Sequence, residues 1–205
     1  MNEKNQVLTR GFLIIVFLAF LLSCAMIPEL KVNYELPPKS EILEGREIFL
    51  AIKDSRQKDD ILGDGASTEL KNFPGNLTLN ITRHGETGFK IGIFQLSPLI
   101  EEVFKRRLEN EGITLSLNRS EAETELLIVI NEFLLDLENR KWIVRMKYEA
   151  RLIKDGKLLL TRKVSGESER ARIFGLREAN IVLGDIMTDM VNRLNIKKLF
   201  QEAGL

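Results

Sequence analysis

Along residues 142–153 apolar and charged side chains alternate without interruption. Trp142, Val144, Met146, Tyr148, Ala150 and Leu152 fall on one side, and Arg145, Lys147, Glu149 and Arg151 on the other. A period of two predicts a strand with one face on a core and one in water. Asp155-Gly156 follows, a dipeptide suited to a two-residue hairpin turn. The returning strand carries Leu158, Leu160 and Val164 inward and Thr161, Lys163, Ser165 and Glu167 outward. The preceding run at 126–137 (LLIVINEFLLDL) is rich in β-branched residues, and its first half predicts a strand buried on both faces. Asn139 begins the turn between the two, so three consecutive strands form a meander.

Upstream, 47–53 (EIFLAIK) predicts a short buried strand, and the polar run 54–65 a loop. Alternation at 77–82 and again at 89–94 predicts two more strands joined by a turn at 83–88. Residues 113–117 suit a short strand. Two segments have helical spacing. In the first, Leu99, Ile100, Val103, Phe104 and Leu108 form one apolar face; Ser97 suits the N-cap, Pro98 the first helical position and Gly112 the C′ position. In the second, about 176–196, the face is Leu176, Ala179, Leu183, Ile186, Met187, Met190 and Leu194. Strands, helix, strands, helix in that order predict an α+β fold. The expected form is a two-layer domain, a mainly antiparallel sheet with two amphipathic helices packed on one face.

The N-terminus has a different pattern. A polar, basic start with Lys4 and Arg10 precedes a dozen nearly continuous apolar residues and then Ser23-Cys24. That is the layout of an export signal. The apolar run falls short of the roughly 20 residues a membrane span needs. Leu21-Leu22-Ser23-Cys24 resembles the lipobox of bacterial lipoproteins. The resemblance implies cleavage before Cys24, S-diacylglyceryl attachment to its thiol and N-acylation of its new amino group. Two or more acyl chains suffice for stable anchoring. The expected organisation is a removed signal at 1–23, a lipid-anchored stretch at 24–40 and a single domain at 41–205. Pro28, Pro37 and Pro38 make the stretch a tether, whereas the alternation Leu30-Val32-Tyr34-Leu36 makes it an edge strand; both readings are open.

Composition narrows the function classes. Removing residues 1–23 takes away Lys4, Arg10 and Glu3 and leaves 28 basic against 29 acidic residues. That balance provides no basic footprint for nucleic acid. Cys24 is the one cysteine, so no disulfide within the chain is expected. His84, the one histidine, lies in a turn without companion ligands, and the acidic run at 54–65 fails the spacing of a calcium loop. No metal or other cofactor is expected. The Asn-x-Ser/Thr matches at Asn76, Asn80 and Asn118 are without meaning in a bacterial lipoprotein. The basic triplet Lys105, Arg106 and Arg107 is expected on a solvated helix face, near the C-terminus where positive charge suits the dipole. Asp54 and Arg56, just after a buried strand, are the candidate loop interaction site; the plainer reading is an ion pair that shapes the loop.

These residues together resemble the YajG-like family of bacterial lipoproteins, which has no assigned activity. The matching features are Cys24, Leu30 with the stretch to Pro38, Asp54-Ser55-Arg56, the helix from Leu99 to Gly112, and the run from Asn131 to Arg140. The hairpin at Asp155-Gly156 and the helix containing Asp185-Ile186-Met187-Thr188-Asp189 complete them. The resemblance spans nearly all of 24–205 and implies an envelope lipoprotein with an α+β domain and no catalytic residues. The expected function is a non-enzymatic binding or assembly module, with the membrane and envelope proteins as partners. Ala25, where aspartate retains lipoproteins in the inner membrane of enteric bacteria, favours the outer membrane. Two alternatives are an auxiliary lipoprotein of a lipid or lipopolysaccharide transport machine, and a cell-wall hydrolase using an acidic pair such as Asp59/Asp60 or Asp185/Asp189.

Overall fold

The computed structural model describes residues 29–83 and 88–205; the lipobox with Cys24, and His84, lie outside the described residues. In chain order the elements are β1 (Leu30–Leu36), β2 (Glu47–Asp54), α1 (Asp64–Glu69), β3 (Leu77–Arg83), β4 (Phe89–Phe94) and α2 (Leu96–Asn110). They continue with β5 (Thr114–Leu115), β6 (Thr124–Glu138), β7 (Lys141–Lys154), β8 (Lys157–Ala171), α3 (Leu176–Arg193) and α4 (Ile196–Glu202). The chain forms a two-layer α+β domain, and its strands divide between two sheets, ordered β1-β3-β4 and β5-β2-β6-β7-β8.

The β6-β7-β8 meander is antiparallel, as its alternation and turn predict. Trp142, Val144, Met146, Tyr148, Ala150 and Leu152 are all buried. Each large apolar side chain removed from water in this way contributes about 1.5–3 kcal/mol. Phe104 of α2 meets Tyr148 edge-on at 5.5 Å between ring centroids. The outer face carries cross-strand ion pairs, Glu132–Lys147, Glu138–Arg145–Glu167 and Lys141–Glu169. Pairs this exposed each add about 1 kcal/mol at most.

Two bulges explain where simple alternation fails. In β6, Ile130 pairs with Tyr148 but Glu132 with Lys147, so Asn131 is the extra residue. The inward set switches there from Leu126, Ile128 and Ile130 to Phe133 and Leu135. In β8, Leu160 pairs with Leu152 but Leu158 with Ile153, leaving Leu159 over. Leu158, expected inward, is therefore turned outward and 59% exposed.

Residues 30–36 are strand β1, parallel to β3, and the chain-distant strands β2 and β6 are also parallel. The far edge of β1 has no strand beside it. Helix α3 lies there instead, running in the same direction. The Asn180 Oδ1 accepts from the Lys31 N–H (2.8 Å), the Thr188 Oγ1 accepts from the Glu35 N–H (3.0 Å), and the Asn192 Nδ2 donates to the Glu35 carbonyl (2.9 Å). The match is geometric: four helical residues rise about 6 Å, close to two strand residues at about 6.6 Å. A polar stripe at 180, 184, 188 and 192 thus substitutes for a neighbouring strand.

Three helix boundaries differ from expectation. The first helix begins at Leu96 with Gln95 as N-cap, two residues earlier than Ser97 would set it; Pro98 still lies in the first turn, where its missing N–H costs no bond. Its C-terminus is as expected, with Gly112 at φ 88° and the Ile113 and Gly112 N–H groups bonded to the Leu108 and Glu109 carbonyls. The last helix stops at Arg193, and Asn195 caps a separate α4 by accepting from the Lys198 N–H at 2.8 Å. The turn lets Leu199 and Phe200 pack back into the core.

Candidate functional site

The loop after β2 is an excursion between two pairings with the same strand. β2 pairs with β6 up to Asp54–Ile130, and the Ser55 N–H adds a bond to the Ile130 carbonyl. The chain then leaves and returns at 61–63, where Leu62 bridges Leu135 in parallel. The Leu135 N–H donates to the Ile61 carbonyl, and the Gly63 N–H to the Leu135 carbonyl. The excursion spans the β6 bulge at Asn131.

Arg56 closes this loop from inside. Its Nε donates to both Asp54 carboxylate oxygens at 3.0 and 3.1 Å, and its Nη2 to Asp54 Oδ2 at 2.8 Å. The remaining fork reaches the carbonyls of Asp60 (3.2 Å) and Asp59 (3.0 Å). The Arg56 side chain is only 7% exposed. Burial pushes the Asp54 carboxyl up, but the Arg56 side-chain and backbone hydrogen bonds and its charge outweigh that, and the net pKa is lowered. A general acid in a cleft needs the opposite shift. Asp54 is an ionised anchor for Arg56, and the pair shapes the loop.

The loop forms one wall of an open cleft of about 620 Å³, lined by Asp54, Arg56, Asp59 and Asp60, by Phe73 and Pro74, and by the start of α2 at Gln95–Pro98. A second constellation stands behind it. Asp136 Oδ1 accepts from the N–H groups of Gly65 (3.0 Å), Ala66 (3.1 Å) and Leu137 (2.8 Å). A strand residue about seventy positions away thereby caps α1, whose own N-cap Gly63 has no side chain to do so. Neither Asp136 nor Gly63-Asp64-Gly65 stands out in the sequence as a site; the Gly-Asp-Gly spacing inside an acidic loop is the one signal of a close approach.

The other candidates fall apart. Asp185 and Asp189 are exposed on α3, and Asp189 is paired with Arg193. Asp60 Oδ1 accepts from the Leu62 N–H at 3.2 Å. Arg107, expected in solvent with Lys105 and Arg106, is instead buried and paired with Glu111. The face it occupies is the one α2 turns toward Tyr34 and Tyr148, whose ionisation its charge influences. Among the described residues no group of three or more His, Cys, Asp or Glu side chains could hold a metal ion. No helix among them is long and apolar enough to cross a membrane.

No protein-family model matches the chain, and no curated protein matches it. Solved structures do. The crystal structure of protein XCC0632 from Xanthomonas campestris, of the family DUF330, superposes with a TM-score of 0.56 at 13% identity, covering 87% of this chain and 96% of that one. A minor lipoprotein from Acinetobacter baumannii matches at a TM-score of 0.38 and 12% identity, over 80% of this chain and 96% of that one. Lipoprotein GNA1162 from Neisseria meningitidis matches at 0.31 and 14%, over 73% and 97%. The chain shares its fold with the Xanthomonas protein, and its structural neighbours include bacterial lipoproteins.

Proposed function

We propose that this chain is a lipid-anchored, non-enzymatic binding or assembly module of the bacterial cell envelope, as its resemblance to the YajG-like lipoproteins implies. The observation that carries the reading is the position of the lipobox: Cys24 stands six residues before Leu30, the first residue of β1. Cleavage before Cys24 would leave an acylated residue almost directly on the folded domain. The outer membrane is the favoured site, from Ala25.

The test is metabolic labelling of the full chain with a fatty acid in a bacterial host, followed by the mass of the mature N-terminus. The expected product begins at diacylglyceryl-modified, N-acylated Cys24, and Cys24→Ala abolishes both labelling and membrane attachment. Unchanged attachment of Cys24→Ala overturns the reading.

The transport-auxiliary alternative calls for an apolar groove between helices and sheet, or for a strand edge facing a partner. Val103, Phe104, Tyr148, Leu183 and Met187 fill the interior with essentially no exposure. The support left for that alternative is the outer edge of β8, the last strand of its sheet.

A further inference from the structure

Ile173 and Phe174 form the turn from β8 into α3, and they are 70% and 69% exposed. Mobility does not account for this. The Arg172 N–H donates to the Arg140 carbonyl (2.9 Å), the Phe174 N–H donates to Glu178 Oε2 (2.9 Å), and the buried Trp142 Nε1 donates to the Gly175 carbonyl (3.0 Å). These three bonds brace the turn on both sides and hold two large apolar side chains out in water. Around them stand the exposed cations Arg140, Lys141, Arg170, Arg172 and Arg177. Arg172 is paired with Glu69 and Lys141 with Glu169.

The position of this tip relative to the chain's N-terminus is what identifies its occupant. β1 and α3 run in the same direction, with Lys31 beside Asn180 and Glu35 beside Thr188. Going backwards from Asn180, α3 ends about 6 Å later at Leu176, and Ile173-Phe174 follow. Going backwards from Lys31, β1 begins at Leu30, at this same end of the domain. Residues 25–28 intervene, so Cys24 is within about 18 Å of Glu29 at full extension. An acylated Cys24 would therefore keep the end of the domain where β1 begins, and where this tip lies, near the bilayer.

We infer that Ile173 and Phe174 are a membrane-contacting tip, inserted among the headgroups of the bilayer to which Cys24 anchors the chain, with the surrounding arginines on lipid phosphates. The inference rests on the anchoring proposed above. Apolar side chains in the interface and cations at phosphate level are the two components of interfacial binding. They orient a domain that the anchor alone would leave free to tumble.

The experiment uses the full lipidated protein in vesicles of phosphatidylethanolamine and phosphatidylglycerol carrying brominated acyl chains. A Phe174→Trp variant is expected to lose about half or more of its added emission in brominated vesicles, relative to unbrominated ones, as a shallowly inserted indole should. Trp142, the chain's one native tryptophan, is buried and supplies a constant background. Leu117→Trp is the control. Leu117 is 91% exposed and follows β5, at the end of the five-stranded sheet away from the tip; its indole stays unquenched. Flotation with vesicles but an unquenched indole from Phe174→Trp overturns the tip and leaves the anchor standing. A blue shift without quenching means that protein covers the turn and also overturns it. Failure of the wild-type protein to float overturns the anchoring itself, and the tip with it.

Discussion

Gly184 of α3 lies against the backbone of Asn33 in β1: a Cβ at 184 would stand 2.8 Å from the Asn33 carbonyl oxygen and 3.4 Å from its nitrogen. Helix and strand backbones touch here because no side chain separates them. Helix propensity alone favours Gly184→Ala by about 1 kcal/mol. The backbone contact decides the outcome against it, because neither partner can rotate away. Gly184→Ala is expected to destabilise the fold by about 1–3 kcal/mol, measured by urea unfolding. An alanine variant at least as stable as wild type would mean that α3 does not approach β1 this closely.

Removing the Arg56 fork should open the loop between β2 and α1. Arg56→Ala leaves the Asp54 carboxylate and two loop carbonyls without their donor, a loss of about 1.5–3 kcal/mol. Arg56→Lys should recover little of it, since an ammonium cannot reproduce the planar fork. Hydrogen exchange at 55–60 is the direct readout. Full rescue by lysine would show that charge alone matters at this position.

Acid should act on the same pair. The folded Asp54 carboxyl ionises more readily than in the unfolded chain. Its contribution to stability is therefore complete above the unfolded pKa of about 4 and is lost as pH falls through the lower folded value. Between neutral pH and about pH 3, wild type should lose more stability than Asp54→Asn. Parallel losses in the two proteins would remove Asp54 from the acid response.

Both tyrosines should be silent in an alkaline titration. Burial pushes the hydroxyls of Tyr34 and Tyr148 up, each is the other's neighbour, and each donates a bond, to Asn192 Oδ1 (2.8 Å) and to the Met190 carbonyl (2.9 Å). With the folded pKa above the unfolded value, the stabilisation is complete below about pH 10 and declines as pH rises beyond it. Tyrosinate absorbance should appear only together with unfolding. A phenolate signal near pH 10 from protein with native circular dichroism would contradict the burial of one ring.

Gly65 should resist replacement more strongly than its place in an acidic loop suggests. A Cβ there would come within 2.1 Å of the Leu137 carbonyl oxygen and 3.2 Å of Asp136 Oδ1. Gly65→Ala must push α1 off β6 and break the Asp136 cap, with an expected loss of about 1–3 kcal/mol. Asp136→Ala should produce a comparable loss through the three N–H groups it leaves bare. If both variants unfold like wild type, the cap contributes nothing.

The elements of the meander were legible because alternation is a local property. Each residue from Trp142 to Leu152 declares its side of the sheet without reference to any partner. The ends of α2 were half legible: Gly112 needs a positive φ that few residues adopt, whereas Gln95 as N-cap follows from how the chain enters from β4. The break at Asn195 was hidden, because Leu194, Ile196 and Leu199 continue an apolar pattern through it. Of the candidate loop pair, Asp54 and Arg56 could be singled out by position, but their fork and the two carbonyls it holds depend on where the chain rejoins β6.

By itself, then, the sequence determined the α+β class and the inward faces of most strands, and it carries the lipobox resemblance at Cys24 from which an export signal is expected. Only the tertiary structure decided which strands are neighbours, that β1 pairs in parallel with β3 and β2 with β6, and that bulges at Asn131 and Leu159 shift the pattern. It also decided that Asn180, Gly184, Thr188 and Asn192, a polar stripe that looks like a solvated helix face, close the open edge of a strand. The physical reason is the same in each case. Hydrophobic partition is set residue by residue, whereas a backbone hydrogen bond or a close backbone approach is a property of two distant segments, and neither carries its partner's address.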